Sequence, residues 1–158
     1  MKEGNKLHIV LVEPEIPANT GNISRTCAIT GSSLHLVRPL GFSVDDKHLK
    51  RAGLDYWKYL DLHYYDCYEE VRKKYPDHRF FLATTKAGKK YSDFSFQPDD
   101  FLVFGKETAG LPVELIKANR ENCMRIPMGV QERSLNLSNS VAIILYEALR
   151  QQGFPGLK

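Results

Sequence analysis

Short apolar runs alternate with stretches of helical period along this chain, and that alternation limits its fold more than any other feature. Leu7 to Val12 (LHIVLV), Ser33 to Val37 (SLHLV), Arg79 to Thr85 (RFFLATT), Asp100 to Gly105 (DFLVFG) and Cys123 to Met128 (CMRIPM) read as strands. Between them, Thr20 to Gly31 carries Ile23 and Cys27 at i, i+4, with Gly31 where a helix stops. Cys67 to Tyr75 is a helix candidate that ends before Pro76, and Pro112 suits the first turn of a helix running to Arg120. A last helix is expected over about Asn139 to Gln151. Strands alternating with helices predict an α/β domain with a mostly parallel sheet and helices on both faces. Residues 1–158 read as one domain. Asp45 to Leu60 is expected to hold a short helix and an irregular piece, and Lys86 to Asp99 a surface loop.

The last helix presents Val141, Ile144, Leu145, Ala148 and Leu149 as one apolar stripe, and Ala142, Ile143 and Tyr146 widen it. So broad an apolar surface calls for cover on more than one face. The cover is either the domain's own core or a second subunit; we favour the subunit and expect a homodimer.

Composition narrows the class. Apolar residues are 42% of the chain, enough for a core at 158 residues, and the net charge is +3. That mild basicity permits a nucleic-acid partner without requiring one. Cys27, Cys67 and Cys123 form no CxxC pair, and no HExxH occurs, so neither a disulfide framework nor a metal is expected. His8, His35, His48, His63 and His78 have no ligand or triad spacing and read as structural or surface residues. The N-terminus lacks the apolar core of a signal peptide, and no apolar run approaches a membrane span. A cytoplasmic location is expected.

In open α/β sheets ligands bind beyond the carboxyl ends of strands, so loops at those positions are the candidates. Glu13 to Arg25 (EPEIPANTGNISR) offers Asn19 or Thr20 as a helix cap and Arg25 on the helix's first turns, an arrangement suited to phosphate. Leu102 to Pro112 (LVFGKETAGLP) has the glycine spacing of a P-loop in Gly105 and Gly110. The residues that follow are Leu-Pro, so that reading fails. No GxGxxG follows any strand, which argues against an ordinary dinucleotide enzyme. What remains is a glycine turn carrying one carboxylate, Glu107. Ile126 to Asn139 (IPMGVQERSLNLSN) combines apolar walls with small polar groups, the usual makeup of a small-molecule site.

Basic residues gather loosely at Lys47, Lys50 and Arg51, at Arg72, Lys73 and Lys74, and at Lys86, Lys89 and Lys90. Tyr56, Trp57 and Tyr91 lie near two of these groups. Basic side chains beside aromatic rings suit single-stranded RNA; a solvated lysine surface over core aromatics is the equally simple alternative.

Taken in order, NTGNIxR, FGxExxGLP and IPM…RSLNLSN resemble the three motifs of the SPOUT RNA methyltransferases, and the likeness covers almost the whole chain. PLGF…DDKHLKRAGLDYW is similar to the small, single-domain branch that methylates the ribose of the tRNA wobble nucleotide, cytidine or 5-carboxymethylaminomethyluridine. The resemblance implies a deep C-terminal trefoil knot, which general topology rules would not have suggested. It also implies a homodimer packed through the first and last helices, S-adenosylmethionine as cofactor, and the tRNA anticodon stem-loop as partner. By position, Ala83, Thr84, Gly105, Ile126 and Ser134 match cofactor-binding residues, with Met128 and Leu135 in the same loops and Glu107 as an addition. Arg25, Ser134 and Asn136 form the implied catalytic set. Asn19, Arg25, Lys50, Arg51, Lys86 and Lys89 are the implied RNA contacts. Lys106 and Ala109 stand where relatives often carry Pro and Arg, which puts an RNA contact at Ala109 in doubt.

The reaction so implied moves a methyl group from a sulfonium to a ribose 2′-hydroxyl. Arg25's position is given a part in activating that hydroxyl within the family. A guanidinium keeps its proton in proteins, so we expect it to hold the adjacent phosphate and stabilise alkoxide charge. The alternatives are ribose methylation of ribosomal RNA or of another tRNA position, or an RNA-binding protein without activity.

Overall fold

The computed structural model describes residues 6–43, 45, 47, 51, 54–130 and 134–158. Its strands are β1 (His8–Val12), β2 (Ser33–Val37), β3 (Asp61–Tyr65), β4 (Phe80–Ala83), β5 (Lys89–Lys90), β6 (Phe101–Phe104) and β7 (Cys123–Arg125). Its α-helices are α1 (Pro17–Thr30), α2 (Tyr68–Lys74), α3 (Val113–Ala118) and α4 (Leu137–Gln151). The strands form one sheet in the order β3-β2-β1-β6-β4-β7-β5, and every pairing is parallel. The expected α/β architecture is therefore present.

Both faces of the sheet are covered, as an all-parallel sheet requires. Side chains alternate along each strand. Ile9, Leu11, Leu34, Leu36, Leu102 and Phe104 pack with α1 and α4 on one face. Val10, Val12, Val37, Phe80, Leu82 and Val103 pack with α2 and Ile116 of α3 on the other. The chain steps outward from β1 through α1 to β2, and in the opposite sense from β6 through α3 to β7. A right-handed crossover puts those two helices on opposite faces. The sense of connection reverses between β1 and β6, so the loops after these two strands face each other there. The chain then leaves β7 and re-enters regular structure at Leu137, on the α1 face.

Several sequence expectations change in detail. Helix α1 starts at Pro17, with proline in its first turn, rather than at Thr20. It ends as expected at Gly31, whose φ of 71° lets its N–H bond back to the Cys27 carbonyl. Pro112 immediately precedes α3 instead of lying inside it. Strand β3 was not expected, because DLHYY is half-buried and carries few aliphatic residues. The stretch 86–99 is more than a surface loop. It holds β5 and a short 3-10 turn, and it buries Phe96 against Phe81. Gln151 at the end of α4 fastens it, donating to the Phe94 carbonyl and accepting from the Phe96 N–H. Six of the thirteen residues of the segment DDKHLKRAGLDYW, Lys50 among them, lie outside the described residues. No helix among the described residues is long and apolar enough to cross a membrane.

Candidate active site

The loops after β1 and β6 are stitched together at the point where the sheet's connections reverse. Glu107 lies in the loop after β6. Its carboxylate accepts the backbone N–H of Glu15 at 2.8 Å, that of Ile16 at 2.9 Å and the Asn19 amide at 3.2 Å. Helix α1 has no side-chain cap of its own, since Ile16 stands at that position. A carboxylate from some ninety residues away therefore holds the two backbone N–H groups just ahead of the helix and the Asn19 amide in its first turn, and opposes the positive end of its dipole. In return Glu15 accepts from the Thr108 N–H and hydroxyl at 3.0 and 2.7 Å, which lowers its pKa. Lys106 pairs with Glu13 at 3.3 Å.

The third loop joins through Asn19. Its amide oxygen accepts from Asn136 Nδ2 at 3.1 Å while its Nδ2 donates to Glu107. The Asn136 Oδ1 in turn caps α4, accepting from the N–H groups of Ser138 and Asn139 at 2.9 and 3.2 Å. Asn19 is thus the hub of all three loops. It is 5% exposed with both ends of its amide engaged, so it holds the site together and is not placed to contact RNA.

Next to this hub is a cavity of about 500 Å³, within the range of about 300–1,000 Å³ usual for small-molecule sites. From the loop after β4 it is lined by Ala83, Thr84 and Lys86, and from the loop after β6 by Gly105 and Glu107. Ile126 and Met128 line it after β7, and Ser134, Leu135 and Asn136 before α4. Every residue expected to bind a cofactor is therefore at one cavity. Leu135 is 40% exposed, an apolar wall facing open space. Gly105 is fixed by sterics: a methyl group there would overlap the Gly110 carbonyl carbon and the Leu111 nitrogen. Gly110 makes that close turn possible with φ +70° and an N–H bond to the Lys106 carbonyl. Gly105 is thus required by the packing of this turn on itself at the edge of the cavity.

The expected RNA contacts are more scattered. Lys86 is exposed at the cavity, and Lys89 is exposed on β5 with its ammonium 5.7 Å from the Phe94 ring. Arg51 is exposed, and Lys50 lies outside the described residues. Arg25 is exposed on the third turn of α1 and is not among the cavity's lining residues. Trp57 is part-buried and donates its indole N–H to Ser24 at 3.0 Å, and Tyr91 packs against the core. Those rings serve packing, so the pairing of bases with free aromatics suggested by composition does not apply to them. The tie between Glu15 and Thr108 was missed, because no local pattern links residues ninety-three positions apart.

Comparison with known proteins adds to this geometry. Residues 6–146 match the family described as SpoU rRNA Methylase. The chain is 52% identical over 149 residues to the tRNA (cytidine(34)-2'-O)-methyltransferase of Methylovorus glucosotrophus, covering 94% of this chain and 97% of that one. It is 48% identical over 151 residues to the protein of the same description from Escherichia coli K12, covering 95% and 96%. A solved structure described as giving structural insights into the 2-OH methylation of C/U34 on tRNA has a TM-score of 0.89 at 41% identity, covering 95% of this chain and 98% of that one. The SpoU methyltransferase AviRb from Streptomyces viridochromogenes, in complex with the cofactor AdoMet, has a TM-score of 0.83 at 25% identity and is covered over 62% of its length.

Proposed function

The chain belongs to the SpoU methylase family, with its α/β-knot fold, and from that premise we propose that it methylates the ribose 2′-oxygen of tRNA nucleotide 34, using S-adenosylmethionine. The observation that carries the reading is the convergence of three distant loops on one cavity through Asn19. Bound there, the cofactor supplies an activated methyl group. The chain's own residues do the rest. Gly105 and Ala83 give close backbone approach, and Ile126, Met128 and Leu135 form the apolar walls. Thr84 and Ser134 supply hydroxyls at the same cavity, and Ser134 and Asn136 stand at the end of the cavity where α4 begins.

Arg25 acts on the RNA in this reading. Asn19, which lines the cavity, is six residues earlier in the same helix, about 9 Å along its axis. From there the guanidinium holds the phosphate beside nucleotide 34 and stabilises charge on the attacking oxygen. Lys86, Lys89 and Arg51 are the further cations offered to the anticodon stem-loop. The chain works as one domain over residues 1–158, in the cytoplasm with its tRNA. We assign it a homodimer packed through α1 and α4, where Ile29, Ile143 and Tyr146 are 55%, 37% and 40% exposed.

Replacing Arg25 tests the division of labour. Arg25→Ala is expected to cut turnover on tRNA by about a hundredfold or more, the scale of a lost charge-stabilising donor. Cofactor affinity, read by calorimetry, should stay within about threefold, roughly 0.65 kcal/mol. Equal losses in both would contradict the assignment.

A further inference from the structure

A cluster of histidines lies at the other end of the sheet, where β1, β4 and β6 begin. His8, His78 and Asp99 each bring one ligand-type atom within 4.8 Å of the other two. The Nδ1 of His78 and the Oδ1 of Asp99 are buried, and neither has a hydrogen-bond partner among the described residues. Buried polar atoms are nearly always satisfied, so two together mark a place built for something else.

The surroundings hold these groups in position. His8 is 8% exposed, and its ring stacks on Phe101 with centroids 4.1 Å apart. Its Nδ1 lies 2.9 Å from His35 Nε2, and His35 Nδ1 lies 2.8 Å from the Tyr65 hydroxyl. With each ring donating from Nδ1 along that chain, His8 Nε2 keeps its lone pair. This is the second-shell arrangement common behind metal-bound histidines. Residues 78 and 99 are each followed by a member of a two-pronged ion pair, Arg79 to Asp100 at 2.9 and 2.7 Å, which fixes both ligand-bearing loops. The Asp99 N–H also bonds to the Lys6 carbonyl at 2.7 Å.

We propose that His8, His78 and Asp99 bind a divalent transition-metal ion of the zinc type, with the fourth position left to water. Two imidazoles and one carboxylate suit zinc, whereas magnesium and calcium prefer all-oxygen sites. A tetrahedral zinc ion holds ligands about 2.0–2.2 Å from itself and so about 3.3 Å from one another. A shift of about an ångström per side chain therefore closes the cluster. His78 and Asp99 are only partly buried, which leaves a way in from solvent. The ion would clamp the starts of β1, β4 and β6 together, at the end of the sheet away from the methylation site. The proposal does not rest on the methyltransferase reading.

The test uses the full, tag-free chain stripped with a chelator and titrated with Zn²⁺ against a chromophoric competitor. One equivalent per chain is expected, with a higher thermal midpoint. His78→Gln and Asp99→Asn should each weaken binding by at least about tenfold, while Cys67→Ser, which removes the exposed thiol, should leave it unchanged. His78→Gln should retain methyl transfer. Co²⁺ bound to the unaltered chain should give a tetrahedral visible spectrum without thiolate charge-transfer bands, a readout independent of whether either variant folds. Absence of saturable Zn²⁺ binding, binding insensitive to His78→Gln, or thiolate bands in the Co²⁺ spectrum would each overturn the proposal.

Discussion

Gly105 and Asn19 carry more of the site than their size suggests. Gly105 leaves no room for a side chain because the backbone at Gly110 and Leu111 already occupies that space. Gly105→Ala is therefore expected to displace the turn into the cavity. Cofactor affinity should fall by about tenfold or more, about 1.4 kcal/mol, read by calorimetry beside a circular dichroism check of folding. The glycine was legible in the sequence as part of a turn, and the close packing of that turn on Gly110 and Leu111 only from the fold. Asn19 was legible as a polar residue at a helix start. Its position as the link between Glu107 and Asn136 was not, because both partners are about ninety or more residues away. Glu107 shows the same limit: the sequence displays a lone carboxylate in a glycine turn, and the fold turns it into the anchor for the backbone just ahead of a distant helix.

Among elements, the starts of the two helices on the cofactor side, α1 and α4, are held by residues that also build the site, Glu107 and Asn136. Asn136 caps α4 and ties it to Asn19, so Asn136→Ala removes both the cap and the tie. A stability loss of about 1–2 kcal/mol is expected from the cap, with a further loss from the orphaned Asn19 amide, measured by urea denaturation. A loss below about 0.5 kcal/mol would mean that the cap is dispensable. The strands with strong aliphatic runs were legible from period alone. Strand β3 escaped because its face carries His63 and Tyr65 in place of aliphatic side chains. β5 escaped because two lysines at a sheet edge have no apolar signature. The whole 86–99 stretch reads as a surface loop in the sequence, although Phe96 is buried and Gln151 pins it. Tyr91, Phe94 and Phe96 are spread among polar residues and two breakers, Gly88 and Pro98, and give no sustained period to detect.

The whole molecule has two chemically different ends. At the carboxyl ends of the strands three loops enclose the cavity; at the opposite end His8, His35, His63 and His78 gather around Phe101 and Tyr75. That gathering, like the knot, depends on strand order, and local periodicity does not encode strand order. Burial lowers the His8 pKa to about 4 and that of His35 to about 2. The unfolded chain takes up these protons near the ordinary value of about 6.5, well before the folded chain does. Stability should therefore be full above about pH 7 and fall as the pH drops through 6 toward 4.5, by about 2–3 kcal/mol for each such histidine. Thermal unfolding across that range, in chelating buffer, checks it. The most direct test of the account compares methyl transfer from labelled S-adenosylmethionine to two tRNA transcripts that differ in one atom, the 2′-oxygen of nucleotide 34. Label in the ordinary transcript, lost when nucleotide 34 is 2′-deoxy, is the predicted result. Equal labelling of both would contradict the account, because the methyl group would then be going to some other atom.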